Sequence, residues 1–524
     1  MALEKLEAYK MISRGGLDSN ENYLELSDNH PGSATALVNF EPGLFGGYRR
    51  IEGFQPLEAD YADVDDALAE GKILGIAIYD GKIIAARKQK AGATYNFYAW
   101  SSGGDWVPYT TGLTLTSTNV DKIRYATFNF DSDEKVIFVD GVNDPIVFDG
   151  TTWSQPTGDQ SLPAPKYVTV FENHIFVSGD STDPHIVAHC APEDETDWDT
   201  ASGAGQIVSG FDVKQIRPFR QELYVFGEND IKKILVESTD FVIKDVTQNI
   251  GCLAPDSVVE INGDLLFLSQ DGFRTIAATE RVGDIEVGNQ SKVIQQDVID
   301  LITTADLDTV DAVVIRRKSQ VRFFFSDENL EVDKNNGILA ALRGGHDIEH
   351  SGTSWEWAKL KGIRTSCATS GYIGTEEYVL HGDFNGKVYR QESGNSFDGE
   401  NIRAVYTTPY LDFGDVFIRK TIHKIMAFIR PEDETSVNVT LQFDWDDRDV
   451  INLDTYLLEQ SISGSVYGTA IYGTSTYAVR SAPVLVKNVE GSGFSVRITY
   501  SSNDMNAPYS IQGTVFEFKA NGRK

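Results

Sequence analysis

Alternating apolar and polar positions recur as paired runs between about residues 70 and 395, each pair separated by a short polar or glycine turn. In the clearest copy, residues 257–269, Asn262 and Gly263 supply the two positive-φ residues of a type I′ turn. Asp80 and Gly81 play the same part in residues 76–85. Looser copies span 125–140, 167–178, 216–227, 313–326 and 371–391. The pattern therefore predicts seven β-hairpins.

The turn centres of these hairpins lie roughly 40 to 60 residues apart, the spacing of four-stranded propeller blades. A short sheet cannot bury both faces alone, so a closed ring of about six blades is the favoured arrangement. Trp153 in 146–153 and the tryptophans of 354–357 would cover the space between neighbouring blades. The alternative is that these runs are ordinary strands of packed sandwiches.

Segments outside the repeat divide the chain. Residues 1–70 read as an N-terminal arm with one or two strands laid on a neighbour, ending in an acidic linker or short helical turn at 61–71, and residues 71–398 form the predicted propeller. Apolar positions at helical spacing within 290–307 predict one amphipathic helix. Residues 399–524 form a C-terminal β domain, in which the tyrosine-rich segment 461–477 reads as an extended loop. Its predicted strands are 403–413, 420–429, 436–443, 494–500 and 513–520. The expected class is all-β.

Charge and cysteine content narrow the function. The chain has 46 Lys and Arg against 78 Asp and Glu, a net charge of -32. This is the reverse of the basic surface that grips nucleic-acid phosphates, although a wall of like charge would let DNA slide past. The three cysteines, Cys190, Cys252 and Cys367, form neither a disulfide framework nor a CxxC metal pair, which favours a reducing compartment. We expect no signal peptide and no membrane anchor.

Two stretches carry a family resemblance. Residues 194–199 and 207–234, continued by 248–258 and 265–273, contain an Ile-Gly segment, a Ser-Val strand start and the run Phe267-Leu-Ser-Gln-Asp-Gly272. With Gly15-Gly-Leu-Asp and Gly46-Gly-Tyr-Arg-Arg-Ile-Glu-Gly-Phe near the N-terminus, they resemble propeller-type structural proteins of tailed phages. The chain is most similar to the tail nozzle family of short-tailed bacteriophages, also called tail tubular protein B or packaged DNA stabilisation protein. The resemblance covers roughly residues 10 to 400.

The resemblance implies a structural virion protein of the short tail, synthesised in the bacterial host cytoplasm. Such a protein forms a homohexameric ring below portal and adaptor, retains packaged double-stranded DNA and conducts it during ejection. Its implied partners are copies of itself, the tail adaptor or head-tail connector, tail fibre or spike proteins and, without sequence specificity, the viral DNA. The alternative function is a receptor- or carbohydrate-binding propeller on the tail exterior.

Candidate chemistry is sparse, and the sequence predicts no enzyme, no cofactor and no catalytic or metal-binding residue. The run 148–153 resembles the Asp-box of sialidases, where the aspartate organises a turn, but the arginine cluster and nucleophile of a sialidase are missing. Acidic clusters at 193–199 and 444–449 read as solvated turns in preference to Ca²⁺ sites. A surface role is favoured over zinc binding for His346 and His350. His185 and His189 share a strand face only if Pro184 begins that strand.

Overall fold

The computed structural model describes residues 6–43, 46–57, 71–89, 92–101, 105–238, 240–276, 289–331, 334–343, 354–446, 455–460 and 483–523. Most of these residues are in strands, and their sheets form a β-propeller with additional β-sheets built largely from the C-terminal region. The predicted all-β propeller with an extra C-terminal β unit is therefore confirmed. The described residues include no helix long and apolar enough to cross a membrane.

The N-terminal strands do not form a separate unit of their own. They are β1 Glu7–Ile12, β2 Ala36–Val38, β3 Phe40–Pro42, β4 Tyr48–Arg50 and β5 Phe54–Pro56, with helix α1 at Tyr23–Asn29. Strand β1 pairs along its length with the last strand of the chain, and β2 joins two other strands in one sheet. The region predicted as an arm thus lies on distant parts of the chain.

Six blades form separate sheets, in agreement with the predicted ring of about six, and a seventh set of four strands in the ring belongs to a larger sheet; all seven are numbered here in chain order. Blade 1 contains β6 Ile73–Tyr79, β7 Lys82–Lys88, β8 Tyr95–Trp100 and β9 Val107–Tyr109. Blade 2 contains β10 Arg124–Asn129, β11 Glu134–Val139, β12 Ile146–Phe148 and β13 Trp153–Ser154. Blade 3 contains β14 Tyr167–Phe171, β15 His174–Ser178, β16 Ile186–His189 and β17 Gly205–Val208. Blade 4 contains β18 Gln215–Phe219, β19 Glu222–Phe226, β20 Asp230–Glu237 and β21 Asp240–Gln248.

The remaining three blades are less regular. Among the described residues, blade 5 has three strands, β22 Val259–Ile261, β23 Asp264–Ser269 and β24 Gly272–Thr275. Blade 6 contains β25 Asp311–Ile315, β26 Gln320–Phe325, β27 Asn336–Arg343 and β28 Ser354–Lys361. Blade 7 contains β29 Cys367–Ile373, β30 Glu376–Gly382, β31 Val388–Gln391 and the N-terminal strand β5. In the part of the chain that is described, six blades are separate sheets, and blade 6 belongs to a nine-stranded sheet.

The predicted hairpins are present, and their turn residues explain why. Asn262 and Gly263 have φ values of 52° and 76°, and Asp80 and Gly81 have 46° and 67°. Both pairs have the left-handed conformation that a two-residue type I′ turn needs, so Ile261 pairs directly with Asp264 and Tyr79 with Lys82. The local sequence therefore fixes the register of the two innermost strands in these blades.

Apolar side chains fill the wedges between neighbouring blades. Phe97 of blade 1 stacks on Trp153 of blade 2 with ring centroids 4.8 Å apart, and Trp357 of blade 6 packs on Phe273 of blade 5 at 5.3 Å. Both tryptophans cover inter-blade space as predicted. Ile73 of blade 1 shares a core with Leu380 of blade 7, which closes the ring. Closure of the ring also brings together segments that are far apart in sequence, because the N-terminal strand β5 pairs with β31 of blade 7.

The C-terminal sheets include the long strands predicted from residues 399–524. Their strands are β32 Ile402–Thr407, β33 Ile418–Pro431, β34 Thr435–Phe443, β35 Tyr456–Gln460, β36 Val484–Asn488, β37 Ser492–Gly493, β38 Val496–Asp504 and β39 Tyr509–Arg523. Strand β32 stops at Thr407, shorter than the predicted 403–413, where Pro409 removes a backbone donor. One sheet has seven strands, including β1, β3 and β4; the other is the nine-stranded sheet, in which β2 connects β28 to β32.

A buried ion network joins the propeller to these C-terminal sheets. Arg322 of β26 and Lys318 both pair with Glu392, which follows β31. Lys318 Nζ also lies 2.7 Å from Glu41 Oε1 of β3, and Arg322 Nη2 lies 3.5 Å from Glu41 Oε2. Arg322, Glu392 and Glu41 are almost fully buried. The network therefore fixes blades 6 and 7 against an N-terminal strand that belongs to the seven-stranded sheet.

The predicted amphipathic helix is α2, Gln295–Thr304, preceded by a 3₁₀ turn. The 3₁₀ turns within the described ranges are Thr200–Ser202, Pro255–Ser257, Lys292–Ile294, Arg316–Lys318 and Asp444–Asp446. Val298 of α2 is buried against the core, and Val293 before it is exposed. The linker interpretation of 61–71, apart from Gly71, and the loop interpretation of 461–477 lie outside the described residues.

Candidate functional site

The inner strands of all seven blades line one cavity of about 490 Å³ along the propeller axis. Each blade contributes part of its first strand, so the wall is assembled from segments that are distant in sequence. We call this cavity the channel. Its lining includes four cationic side chains, Lys122, Arg124, Arg217 and Arg316, and three acidic ones, Asp256, Glu260 and Asp311.

One end of the channel holds a tight ion-pair network. Arg124 donates two hydrogen bonds to Asp256, both of 2.7 Å. Lys122 Nζ lies 2.9 Å from Asp256 Oδ2 and 3.2 Å from Asp311 Oδ2, and it donates to the backbone carbonyl of Val310. These groups lie at or just before the first residues of their strands. The starts of the inner strands therefore meet at this end of the channel.

Lys122 contacts the carboxyl groups of both Asp256 and Asp311, but the pKa values of these two groups are shifted in opposite directions. Burial opposes the charge of Asp256, but Arg124 and Lys122 hold the pKa of this carboxyl well below its usual range. Burial, reinforced by the nearby Asp256 charge, raises the pKa of Asp311 to about 6, although Lys122 acts in the opposite direction. Two charged partners leave Asp256 ionised, so Asp311 is the group in this network that changes charge near neutral pH.

Farther along the channel the cations are less well neutralised. Arg217, the third residue of β18, is exposed to the channel, and its side chain makes no hydrogen bond or ion pair with any described residue. Desolvation by the channel walls lowers the pKa of Arg217 despite the field of Asp256. Arg316 follows β25 and donates only one side-chain hydrogen bond among described groups, of 3.3 Å to Ser370 Oγ. Glu260 on β22 is also exposed.

Hydroxyl groups complete the lining. Tyr125 Oη and Thr369 Oγ1 are 3.0 Å apart, joining blade 2 to blade 7 across the first strand of blade 1. Thr127, Thr169 and Ser370 line the same cavity. The channel therefore offers charged guanidinium groups next to neutral groups that both donate and accept hydrogen bonds.

The sequence did not indicate this site. Lys122, Arg124, Asp256 and Asp311 are separated by up to 189 positions and share no motif. They meet because all four lie at the start of the first strand of a blade or within three residues before it: Lys122 and Arg124 in blade 2, Asp256 in blade 5 and Asp311 in blade 6. Aligning the residues that begin each hairpin is the signal that could have grouped them.

The Asp-box-like turn is structural, as predicted from its sequence. Asp149 Oδ1 accepts hydrogen bonds from the backbone N–H groups of Thr151 and Thr152, at 2.8 and 2.6 Å. These bonds, the one from Thr152 first, lower the pKa of Asp149. The aspartate holds the turn that places Trp153 against Phe148, with ring centroids 4.3 Å apart.

The acidic and histidine candidates are dispersed. In the cluster 193–199, Asp194 caps the backbone N–H groups of Thr196 and Asp197, and Glu195 pairs with Lys135 at 2.6 Å. Asp444 accepts hydrogen bonds from the backbone of Phe494 and Ser495, while residues 447–449 of the second cluster lie outside the described part. No group of three or more potential metal ligands occurs among the described residues.

His346 and His350 lie outside the described residues. Strand β16 begins at Ile186, so His185 lies just before the strand that contains His189. His189 instead packs against His174, with ring centroids 5.1 Å apart, and both rings hydrogen-bond to the carbonyl of Cys190. Burial lowers the pKa of His189. The sequence did not indicate this histidine pair, which packs under Phe241 of blade 4.

Comparison with known proteins gives likeness in fold. No family model and no curated protein matches the chain. An ancestral GH74 enzyme has 10% identity and a TM-score of 0.40, over 68% of this chain and 50% of its own. PorZ, a surface component of the type-IX secretion system of Porphyromonas gingivalis, has 11% identity and a TM-score of 0.36, over 65% and 42%. The chain spans half or less of the length of these two proteins.

A third structure, a glycoside hydrolase family 43 arabinoxylan arabinofuranohydrolase from Bacillus subtilis, has 9% identity and a TM-score of 0.24, over 89% of this chain and 99% of its own. The prediction that the chain is not an enzyme is contradicted by the two glycoside hydrolases among these structures and is withdrawn. That prediction depended on missing motifs, and one fold supports catalytic and non-catalytic sites alike.

Proposed function

We propose that this chain is a structural subunit of a short bacteriophage tail. Six copies form the nozzle ring below portal and adaptor, which retains packaged DNA and conducts it during ejection. The observation that carries the proposal is the position of the phage-like segments. Residues 207–234 span the end of blade 3 and most of blade 4, and 265–273 form the central hairpin of blade 5. The resemblance therefore follows consecutive structural units in order.

Two glycines of the phage-like segments, Gly251 and Gly272, have structural roles in these blades. In Phe267-Leu-Ser-Gln-Asp-Gly272, Gly272 has a φ of 135° and closes the turn between β23 and β24. Gly251 of the Ile-Gly segment lies so close to blade 4 that a Cβ would come within 2.4 Å of the Glu228 carbonyl. Gly251 lies in the segment that joins blades 4 and 5, and Gly272 lies in the hairpin of blade 5, so the resemblance concerns both a blade hairpin and a connection between blades.

The rigid connection between the propeller and the C-terminal sheets supports a structural role in the tail. The nine-stranded sheet runs without interruption from blade 6 through β2 into the C-terminal strands. The buried network of Arg322, Glu392 and Glu41 adds a side-chain connection from blades 6 and 7 to β3 of the seven-stranded sheet. Continuous sheets and buried ionic contacts resist hinge motion, which suits a ring that holds DNA under pressure.

Charge supports passage of DNA. With a net charge of -32 per chain, a ring of six copies presents strongly negative surfaces to a negatively charged polymer. Repulsion of like charges disfavours adhesion of DNA to the wall. A conduit that must release its cargo benefits from this property.

An exposed apolar patch supports assembly with copies of the same chain. Tyr23, Leu24, Val416, Phe417 and Trp445 are exposed, Phe417 by 69%. Tyr23 contacts Trp445 edge-on at 5.5 Å. Hydrogen bonds link the segments that carry the other exposed side chains: Lys420 donates to the carbonyls of Asp415 and Phe494, and the Phe494 N–H donates to Asp444, next to Trp445. Exposed apolar patches of this kind mark protein contacts.

Co-expression with portal and adaptor proteins tests the proposal. Mass measurement of the purified particle should give a complex with six copies of this chain. Replacing Phe417 with Asp should reduce the yield of the complex at least about tenfold, because a charge replaces an apolar side chain that the proposed subunit contact would bury. The matched control is Val208→Asp, which places the same charge on an exposed outer strand of blade 3. A chain that stays monomeric with both partners would contradict the proposal.

The exterior binding alternative has a separate readout. An isolated chain that adsorbs to host cells or to a glycan array, while failing to enter the ring, would favour a receptor-binding propeller over the nozzle. Entry into the ring without such adsorption would favour the nozzle.

A further inference from the structure

We propose that the propeller channel is a binding site for a small hydroxylated anion, one that carries a carboxylate or phosphate group beside its hydroxyls. Arg217 and Arg316 would hold the anionic group, and the threonine, serine and tyrosine hydroxyls would bind the rest. The inference goes beyond the proposed tail function and does not depend on it, because the site lies within a single chain.

The charge of the lining is the first argument. Lys122 and Arg124 are neutralised within the network by Asp256 and Asp311. The remaining charged groups are Arg217 and Arg316 against Glu260. The open part of the channel is therefore cationic in a chain that has 46 basic against 78 acidic residues. A propeller centre with a purely structural role would not require a local excess of positive charge in an acidic protein.

The side chain of Arg217 lacks a hydrogen-bond or ion-pair partner among the described residues, which leaves its guanidinium group available to an anionic ligand. Every other cation of the lining has a hydrogen bond or ion pair within the described residues, whereas the side chain of Arg217 has none there. Glu260 lies near enough to affect the ionisation of Arg217, but the two side chains form no ion pair. An unpaired guanidinium between low-dielectric walls binds an anion more strongly than one on an open surface does.

The size and polarity of the cavity define the ligand class. A volume of about 490 Å³ falls within the range of small-molecule sites. Tyr125, Thr127, Thr169, Thr369 and Ser370 supply hydroxyls along several walls. Inorganic phosphate alone would leave most of these groups unused, whereas an acidic monosaccharide or a sugar phosphate could bind both the arginines and the hydroxyls.

Calorimetric titration of the full chain at constant ionic strength tests the inference. The probes are inorganic phosphate, glucuronate, glucose 6-phosphate and neutral glucose. We expect saturable binding of glucuronate or glucose 6-phosphate, weaker binding of phosphate and none of glucose. The probe that binds more tightly identifies the anionic group as carboxylate or phosphate.

Three single variants separate the channel from general electrostatics. Arg217→Gln should weaken binding at least about tenfold, because it removes a charged hydrogen-bond donor. Arg403→Gln removes the same charge from an exposed position on β32 and should leave affinity unchanged. Glu260→Gln should tighten binding several-fold, because it removes the one acidic group in the open part of the channel.

Three results would overturn the inference. They are no saturable binding of any anionic probe at millimolar concentration, equal losses in Arg217→Gln and Arg403→Gln, and binding of glucose as strong as that of glucuronate. Circular dichroism should show that each variant is folded, which is expected because the three replaced side chains are exposed.

Discussion

Individual residues determine the hairpin turns and the buried ion pairs of this fold. Asn262 with Gly263 and Asp80 with Gly81 could be recognised in the sequence because a type I′ turn demands positive φ at two successive positions. The partners of Arg322 could not, because Glu41 and Glu392 precede and follow it by 281 and 70 positions. Local chemistry is visible in a sequence, whereas long-range pairing of charges depends on the completed topology.

Replacing Glu392 with Gln should destabilise the protein by about 3 kcal/mol at pH 7, because buried Arg322 would lose the nearer of its two carboxylate partners and keep only Glu41. Burial opposes ionisation, but Arg322 and Lys318 lower the pKa of Glu392 from 4.5 to about 2. Since the folded state holds the lower pKa, this stabilisation is present above pH 4.5 and is lost as pH falls toward 2.

Urea unfolding at several pH values measures both effects. The variant should lack the part of the acid sensitivity that lies between pH 4.5 and 2. Glu376→Gln is the control, because Glu376 pairs with Arg390 on the exposed surface of blade 7 and should contribute little. Equal midpoints for wild type and Glu392→Gln would contradict the role given to the network.

Asp311 provides a second test at the residue scale. Its carboxyl should titrate near pH 6 by ¹³C NMR, well above an ordinary aspartate, mainly because it is buried. The pKa of Asp311 is higher in the folded state than in the unfolded state. The protein therefore loses stability progressively as the pH rises from 3.8 to 6. An Asp311 titration near pH 4 would show that the strand-start end of the channel is open to water.

At the scale of elements, the hairpins, the helix and the long C-terminal strands followed from periodicity. The short strands did not. Strand β5 has three residues, Phe54–Pro56, too few for any alternation to be recognised, yet it closes blade 7. Likewise, 354–361 reads as an ordinary outer blade strand, and nothing in its pattern indicates that β2 continues the sheet beyond it.

Strand β5 completes blade 7 by pairing with β31, so a substitution in β5 should destabilise the ring. Phe54 is buried and lies 4.9 Å from Phe397 and 5.0 Å from Tyr389 between ring centroids. Phe54→Ala should cost about 3 kcal/mol and speed hydrogen exchange in β31. Leu24→Ala, at an exposed position of α1, is the control and should leave exchange in β31 unchanged. Unaltered exchange in Phe54→Ala would mean that β5 does not hold the ring closed.

At the scale of the whole molecule, the chain is a propeller fused to β-sheets made from both of its ends. The ring was predictable because its repeat is regular, whereas the fusion was not, since β1 pairs with β39 across almost the full chain. The channel site was missed for the same reason: its charges come from four different blades. The assembly proposed for this molecule depends on the rigidity of that fusion.

Electron cryomicroscopy of the native assembly tests the tail assignment most directly. A reconstruction of a short-tailed particle that contains this chain should show six copies around the tail axis below the adaptor, with the propellers outside a central lumen and the Phe417 patch at a subunit contact. A particle that lacks the chain, or copies bound at the periphery with no shared axis, would contradict the assignment.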